Sequence, residues 1–232
     1  KWFKTWQERR MAWYLSLGMD KKKLKFRDHK KDELVHYAKQ ATDIEYDFPF
    51  QDRELEGIHN RSDFDLTQHE KHSKQDLKVN DLEAKEKYIP YIIETSGGCD
   101  RATLAFLIDA YTEVETRSGD KDAKHETEVV LKLHKDLAPI KVAILPLSKK
   151  LDKEARQVYD MLKTERMCDY DVTGSIGKRY RRHDEIGTPY CLTFDFDSLE
   201  DKKVTVRDRD TMKQDRVAIE ELSDYFRERF NQ

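Results

Sequence analysis

Cysteine is scarce in this 232-residue chain, and the three residues present, Cys99, Cys168 and Cys191, lie far apart with no Cys-x-x-Cys pair. That spacing excludes a disulfide-stapled scaffold and a cysteine zinc site, and predicts small buried thiols in a reducing compartment. Long hydrophobic runs are missing as well. Nothing approaches the roughly 18 apolar residues of a membrane span, and no signal-peptide pattern is present, so a cytoplasmic protein with no membrane partner is expected. Charge of one sign is lacking too. The 44 Lys and Arg nearly cancel the 47 Asp and Glu, leaving a formal charge of -3, which argues against coating nucleic acid by bulk charge but leaves room for a local basic patch. There is no internal repeat. The chain begins Lys1-Trp2-Phe3-Lys4-Thr5-Trp6 without an initiator Met and enters directly into an amphipathic pattern, so a fragment of a longer protein is expected.

Hydrophobic residues make up 37% and charged residues 39% of the chain. The apolar residues are clustered, which predicts folded structure across a length that suits two modest domains or one large one. Trp2, Phe3, Trp6, Trp13 and Leu17 recur at mostly helical spacing, with Gly18 as a stop. A second helix is predicted over Asp32 to Ala41. Extended segments follow over Asp43 to Phe48 and Arg53 to Asn60. Ser62 is positioned to cap a helix toward His72, and 73 to 87 reads as a loop or hairpin. Tyr88 to Thr95 is a strong strand signal ending in Ser96-Gly97-Gly98. A well-buried helix is predicted beyond it, with Ala102, Leu104, Ala105, Leu107, Ile108 and Tyr111 inside. Residues 113 to 128 are charged and read as a linker. Thereafter strands at Ile140 to Pro146, Tyr170 to Thr173, Pro189 to Phe196 and Lys203 to Arg209 alternate with helices at Leu151 to Arg166 and Gly177 to Ile186. A last helix is predicted from Asp215 or Arg216 to Arg229. The alternation implies a mixed sheet with helices on its faces.

Two short patterns resemble known sites and fail on spacing. Gly174-Ser175-Ile176-Gly177-Lys178 lacks the four-residue gap and the following hydroxyl of a phosphate loop, and His69-Glu70-x-His72 is not the spacing that presents two imidazoles on one helical face. No nucleophile elbow appears. The segment Glu94 to Arg101 is different. A strand delivers a carboxylate, Glu94, and two residues on a hydroxyl, Ser96, with the same facing. Gly97 and Gly98 then allow close approach to the backbone, and a helix opens with Arg101 in its first turn, a combination of amides and guanidinium suited to an anion. On spacing alone, a capped helix after a strand with Arg101 in a surface ion pair accounts for the segment at least as well.

The run Glu94-Thr95-Ser96-Gly97-Gly98-Cys99-Asp100-Arg101-Ala102-Thr103-Leu104-Ala105-Phe106-Leu107 resembles motif 3 of the class II aminoacyl-tRNA synthetases in its glycyl form. Glu54-Leu55-Glu56-Gly57-Ile58-His59-Asn60-Arg61-Ser62-Asp63-Phe64-Asp65-Leu66 resembles the active-site signature of the same family, and the opening helix, residues 41 to 45 and residues 47 to 50 are also similar to it. Residues 137 to 143, 174 to 180, 184 to 190 and 205 to 210 resemble the family's anticodon-binding domain. Gln51-Asp52-Arg53 departs from the glycine and aromatic more usual before Glu54, and Cys99 stands at a usually aliphatic or small position. Motifs 1 and 2 are absent upstream of Lys1, so the chain as given is not expected to charge tRNA.

The resemblance to the glycyl-tRNA synthetase family implies an α+β architecture. Part of an antiparallel-sheet catalytic domain would span 1–135, with motif 3 at 88–111, followed by an α/β anticodon-binding domain with a mixed sheet at 136–232. It implies ATP-dependent ligation of glycine to tRNA(Gly) through a glycyl-adenylate, with Mg2+ and a homodimeric full-length enzyme. Carried over by position, Arg101 and Glu54 take catalytic roles. Glu94, Thr95, Ser96, Gly97 and Gly98 take the glycine, while Glu54, Leu55, Gly98, Cys99, Asp100 and Arg101 flank ATP. Lys178, Arg179, Arg181 and Arg182 contact tRNA, and no resident protein metal site is implied. The rivals are a non-catalytic synthetase-like accessory protein that binds nucleic acid, and a class II synthetase for another small amino acid.

Overall fold

A computed structural model describes residues 1–115 and 127–231 and divides the chain into two compact units, Lys1–Asp109 and Ala110–Gln232.

The first unit is built on a four-stranded antiparallel sheet. In chain order it contains α1 (Trp2–Ser16), β1 (Leu24–Asp28), β2 (Gln40–Phe48), β3 (Gln51–Ser62), α2 (Phe64–Ser73), the hairpin β4 (Val79–Asp81) and β5 (Glu86–Tyr88), β6 (Ile92–Gly97) and α3 (Cys99–Ala110). The sheet order is β1-β2-β3-β6. One face is covered by α1 and α3: Tyr14, Phe3, Trp6, Leu15, Ala105 and Phe106 pack against Ile44, Tyr46, Leu55 and Ile58. Gly18, at φ +88°, ends α1 in a Schellman turn, with Gly18 N–H donating to Leu15 O and Met19 N–H to Tyr14 O.

Several boundaries differ from the sequence reading, each for a local reason. Trp2 and Trp13 are exposed, because the core-facing stripe of α1 is taken by Phe3, Trp6 and Tyr14. The helix predicted over Asp32 to Ala41 does not form. Glu33 instead binds Lys30 N–H and Arg27, and Gln40 to Thr42 take ladder positions opposite Asn60 to Ile58. Ser62 adopts φ +53° and Asp63 takes the N-cap position of α2. The Tyr88 to Thr95 strand is split around Pro90, which has no N–H for a ladder. Only one stripe of α3 is buried; Leu104 and Leu107 are exposed.

The second unit opens with a hairpin, β7 (Tyr111–Glu115) and β8 (Thr127–Leu131), where the sequence reading placed a linker. Residues 116–126 of that linker lie outside the described residues. There follow β9 (Val142–Pro146), α4 (Asp152–Leu162), β10 (Cys168–Tyr170), α5 (Ile176–Glu185), β11 (Tyr190–Phe194), α6 (Ser198–Asp201), β12 (Lys203–Asp208), β13 (Gln214–Ala218) and α7 (Leu222–Phe230). The sheet is mixed, in the order β10-β9-β11-β12-β13, parallel among β10, β9 and β11 and antiparallel from β11 through β13. All five residues of β9 are buried, as a strand covered on both faces requires. Val142 and Ile144 join Leu151, Ala155, Val158 and Leu162 of α4 and its lead-in, with Leu222 and Phe226 of α7. Ala143 and Leu145 turn the other way, with Cys191, toward Ile176 and Tyr180 of α5. The last helix begins later than predicted. Gln214 to Ala218 are a strand, because Asp208 Oδ1 accepts from Asp210 N–H, Thr211 N–H and Thr211 Oγ and so folds the chain back beside β12.

Candidate functional site

Residues directly opposite in a sheet project from the same face, so the register decides which side chains can meet. Asp43 opposes Gly57 and Gly57 opposes Ser96; Ala41 opposes His59 and His59 opposes Glu94. Ile44 and Ile58 point the other way, into the core under α1. Glu94, Ser96, His59 and Asp43 therefore share the face that α1 leaves open. The β2–β3 register shifts between Ile44 and Glu45, so that Ile44 opposes Glu56 while Glu45 opposes Glu54. Leu55 is the extra residue of this bulge. It joins the core, and Glu54 emerges on the open face.

The carboxylates are held in different ways. Glu94 Oε2 accepts from Arg61 Nη1 at 2.5 Å, and Arg61 also forms a two-point pair with Asp65 while its guanidinium lies 4.0 Å over the Tyr37 ring. The hydrogen bonds that Arg61 donates to Asp65 and then Glu94 push its pKa up, and the contact with Arg61 holds Asp65 below the usual carboxylate range. Asp43 is buried, with His29 Nε2 2.8 Å from its Oδ2 and Arg27 Nη1 at 3.5 Å. Glu54 is exposed. Glu56 faces away, 2% exposed, taking Arg10 Nε at 2.6 Å, Arg10 Nη2 at 2.9 Å and Tyr14 Oη at 2.8 Å. Burial and then the bond to Glu56 raise the Tyr14 pKa.

Beyond Ser96 the chain turns at Gly97 and Gly98 and enters α3. A Cβ at Gly97 would meet its nearest atoms, in Glu56 and at Leu55 O, no closer than 3.5 Å, and one at Gly98 would meet Arg101 Cβ at 3.8 Å. Packing within the unit does not require either glycine, and a Cβ at Gly97 would lie on the Glu56 side of the sheet, turned from Glu94 and Ser96. Arg101 Nη1 donates to Glu54 O at 2.6 Å, which ties the first turn of α3 to β3 just where the bulge begins. Cys99 and Asp100 are exposed in that turn. Two of the residues expected at the ligand do not present their side chains to this face. Leu55 is buried by the bulge, and Thr95 opposes Ile58, so alternation turns it from Glu94 and Ser96.

In the second unit the four cations of α5 divide. Arg179 is 3% exposed and donates to Pro146 O at 2.7 Å and Asp171 O at 3.0 Å; desolvation lowers its pKa. It therefore tethers α5 to the ends of β9 and β10 rather than facing phosphate, which corrects the expectation of a four-cation surface. Arg181 pairs with Glu128 at 2.7 Å, and Arg182 with Asp171 and Thr173 O. Lys178 is exposed. The helix is capped by Ser175, whose side chain accepts from Lys178 N–H, so the Gly174 to Lys178 run serves as a helix entry. Two more arginines are internal. Arg207 pairs with Asp184 and stacks over Tyr180, and Arg209 donates to Gly187 O and Leu133 O.

Comparison with known proteins gives this arrangement a context. Residues 141–229 match the anticodon binding domain family. The chain is 58% identical over 230 residues to a glycine–tRNA ligase of Ruminiclostridium cellulolyticum, covering 99% of this chain and 48% of that protein. It is 55% identical over 231 residues to that of Acetivibrio thermocellus, covering 100% and 49%. The chain is a homologue of the glycine–tRNA ligases. A third relative, from Geobacillus thermodenitrificans, is 55% identical over 222 residues, covering 96% of this chain and 46% of that protein. The chain thus spans about half the length of the curated relatives it matches. In this glycine–tRNA ligase homologue the sequence reading did not single out Asp43, His59 or Arg61 on the open face. Strand alternation from Glu94 pairs no residue with a partner on another strand, and only the register does so.

Proposed function

We propose that the protein to which this chain belongs ligates glycine to tRNA through a glycyl-adenylate. In this reading the first unit, within residues 1–135, supplies part of the catalytic face, and residues 136–232, within the second unit, recognise the anticodon. The observation that carries the reading is the common open face of Glu54, Glu94 and Ser96, with Arg101 fastened to it at Glu54 O. A bound glycine offers an ammonium and a carboxylate and no side chain. Glu94 and Ser96 take the ammonium, with Arg61 fixing the carboxylate that grips it. The amino-acid carboxylate then attacks the α-phosphate of ATP and pyrophosphate leaves. Afterwards a terminal ribose hydroxyl of tRNA takes the glycyl group and AMP is released. The rate comes from orientation and from donors placed where charge develops. Arg101, exposed in the first turn of α3 with most of its guanidinium donors unused by the described residues, meets phosphate oxygens beside Gly98, Cys99 and Asp100 in this reading.

The residues fit a magnesium ion carried by the nucleotide. Among the described residues no group of three or more His, Cys, Asp or Glu side chains could hold a metal, whereas a triphosphate-bound ion needs only one or two carboxylates. The exposed Glu54 carboxylate accepts no hydrogen bond from any described residue and would supply one. When bound, the ion offsets phosphate charge.

In the second unit, Lys178, Arg181 and Arg182 position the tRNA by phosphate contact while anticodon bases are read by stacking and edge hydrogen bonds. The full-length enzyme is read as a cytoplasmic homodimer, by the same family resemblance. A non-catalytic accessory protein would have no use for Glu54, Glu94, Ser96 and Arg101 together on one surface. Glycine- and ATP-dependent pyrophosphate exchange by the full-length protein tests the proposal. Exchange that requires glycine supports it, and a folded protein with no exchange overturns it.

A further inference from the structure

Gly57 lies at the centre of the open face, between Asp43 on β2 and Ser96 on β6. A Cβ placed on it would fall 2.8 Å from Cε1 and 3.4 Å from Nδ1 of His59, and 3.7 Å from Oδ1 of Asp43. The His59 ring therefore folds back along its own strand and lies directly over Gly57. Behind it stands the His29 ring, edge-on at 6.2 Å between centroids and itself bonded to Asp43. His59 Nδ1 is buried and has no hydrogen-bond partner among the described residues, so no described hydrogen bond at that atom accounts for the ring's position.

We infer that His59, laid over Gly57, is the wall that limits the amino-acid site to glycine. The inference rests on the proposed reading of the open face as the glycine site. Neighbouring strands are about 4.8 Å apart, so an ammonium drawn to Glu94 and Ser96 on β6 brings the substrate α-carbon beside β3 at Gly57. The space above Gly57 is where a substrate methyl would go, and His59 fills it. Glu94 and Ser96 recognise what every amino acid carries and so cannot reject alanine; His59 rejects it by bulk. Gly57 is required because any side chain there would displace the ring.

Pyrophosphate exchange by the full-length protein with glycine and with alanine tests this in the unaltered protein and in His59→Ala, His59→Ser and His59→Phe. One methyl in a tight pocket is worth roughly 10- to 200-fold in kcat/KM. The alanine-to-glycine ratio of kcat/KM should rise by a factor in that range in both small variants, chiefly through a lower KM for alanine. His59→Phe should keep the ratio near that of the unaltered protein. A general loss of stability would lower both rates and leave the ratio alone. Glycine exchange with an unchanged ratio in the small variants overturns the role of His59 while leaving the glycine reading intact. Absence of glycine exchange in the unaltered protein removes both.

Discussion

Glu54 and Glu56, two residues apart on one strand, project from opposite faces of the sheet. The bulge at Leu55 separates them: Glu54 stands exposed opposite Glu45, and Glu56 opposes Ile44 and is sealed beneath α1 with Arg10 and Tyr14. Equal residue types so close in sequence consequently have unequal jobs. One is available to a ligand, and the other ties the opening helix to the sheet.

Glu56→Ala should accordingly cost stability. Removing one partner of a buried pair leaves the other partly desolvated, at about 3–5 kcal/mol for full burial. Arg10 keeps a quarter of its side-chain exposure, which places the expected loss near the lower end, about 3 kcal/mol. Urea unfolding followed by tryptophan fluorescence measures it. A loss below about 1 kcal/mol would show that the pair is incidental.

Glu94→Gln should act on catalysis rather than on folding. In the proposed reading it removes a charge-assisted hydrogen bond to the glycine ammonium, about 1.5–3 kcal/mol, so kcat/KM for glycine should fall by roughly one to two orders of magnitude. Unchanged glycine-dependent exchange would dismiss Glu94 as the ammonium ligand.

The arginines of α5 should separate by function. Reversing Arg181 and Arg182 to glutamate is expected to raise the KM for tRNA with little effect on adenylate formation. Arg179→Ala should lower the melting temperature instead, since it leaves the buried Pro146 carbonyl and the half-buried Asp171 carbonyl without this donor, at about 1–3 kcal/mol. A stable Arg179→Ala protein with a raised tRNA KM would reverse these assignments.

His183 gives the second unit a pH dependence. It is 2% exposed, and burial holds its imidazole below the ordinary value of 6.5. Below that value the unfolded chain takes up a proton that the folded unit does not, so stability is full above about pH 7 and falls as pH drops through 6.5 toward the folded pKa. His183→Gln should flatten this slope. Urea midpoints between pH 7.5 and 5.5 decide the matter, and identical slopes in the two proteins would remove His183 as the cause.

Gly187→Ala should destabilise the turn after α5 by about 1–3 kcal/mol. The residue sits at φ +83°, and a Cβ would come to 3.0 Å from Leu131 O and 3.2 Å from Leu133 Cδ1. An unchanged melting temperature would mean that the turn relaxes at no cost.

Much of the fold follows from local pattern. The opening helix with its Gly18 stop, the pair of strands around Pro49, the strand–glycine–helix unit at 92–110 and the alternation after 140 are written in hydrophobic period and breakers, which act between near neighbours. The same logic fails where a distant partner decides. Asp215 and Arg216 read as helical, yet they form a strand, because β12 lies alongside and Arg216 reaches Asp195 and Asp201. Residues 32 to 41 lose a helix to the ladder with β3 for the same reason.

For the candidate site the division is sharper. The sequence by itself determined which chemical groups are available: the carboxylates, the hydroxyl, the glycine turn and the arginine that follows it. Only the tertiary structure decided which of them share a face, since register and one bulged residue set side-chain direction across strands far apart in the chain. It turned Leu55 and Thr95 away from Glu94 and Ser96, buried Arg179, and brought His59 over Gly57. Pairing between strands is a long-range contact, and no local propensity encodes it.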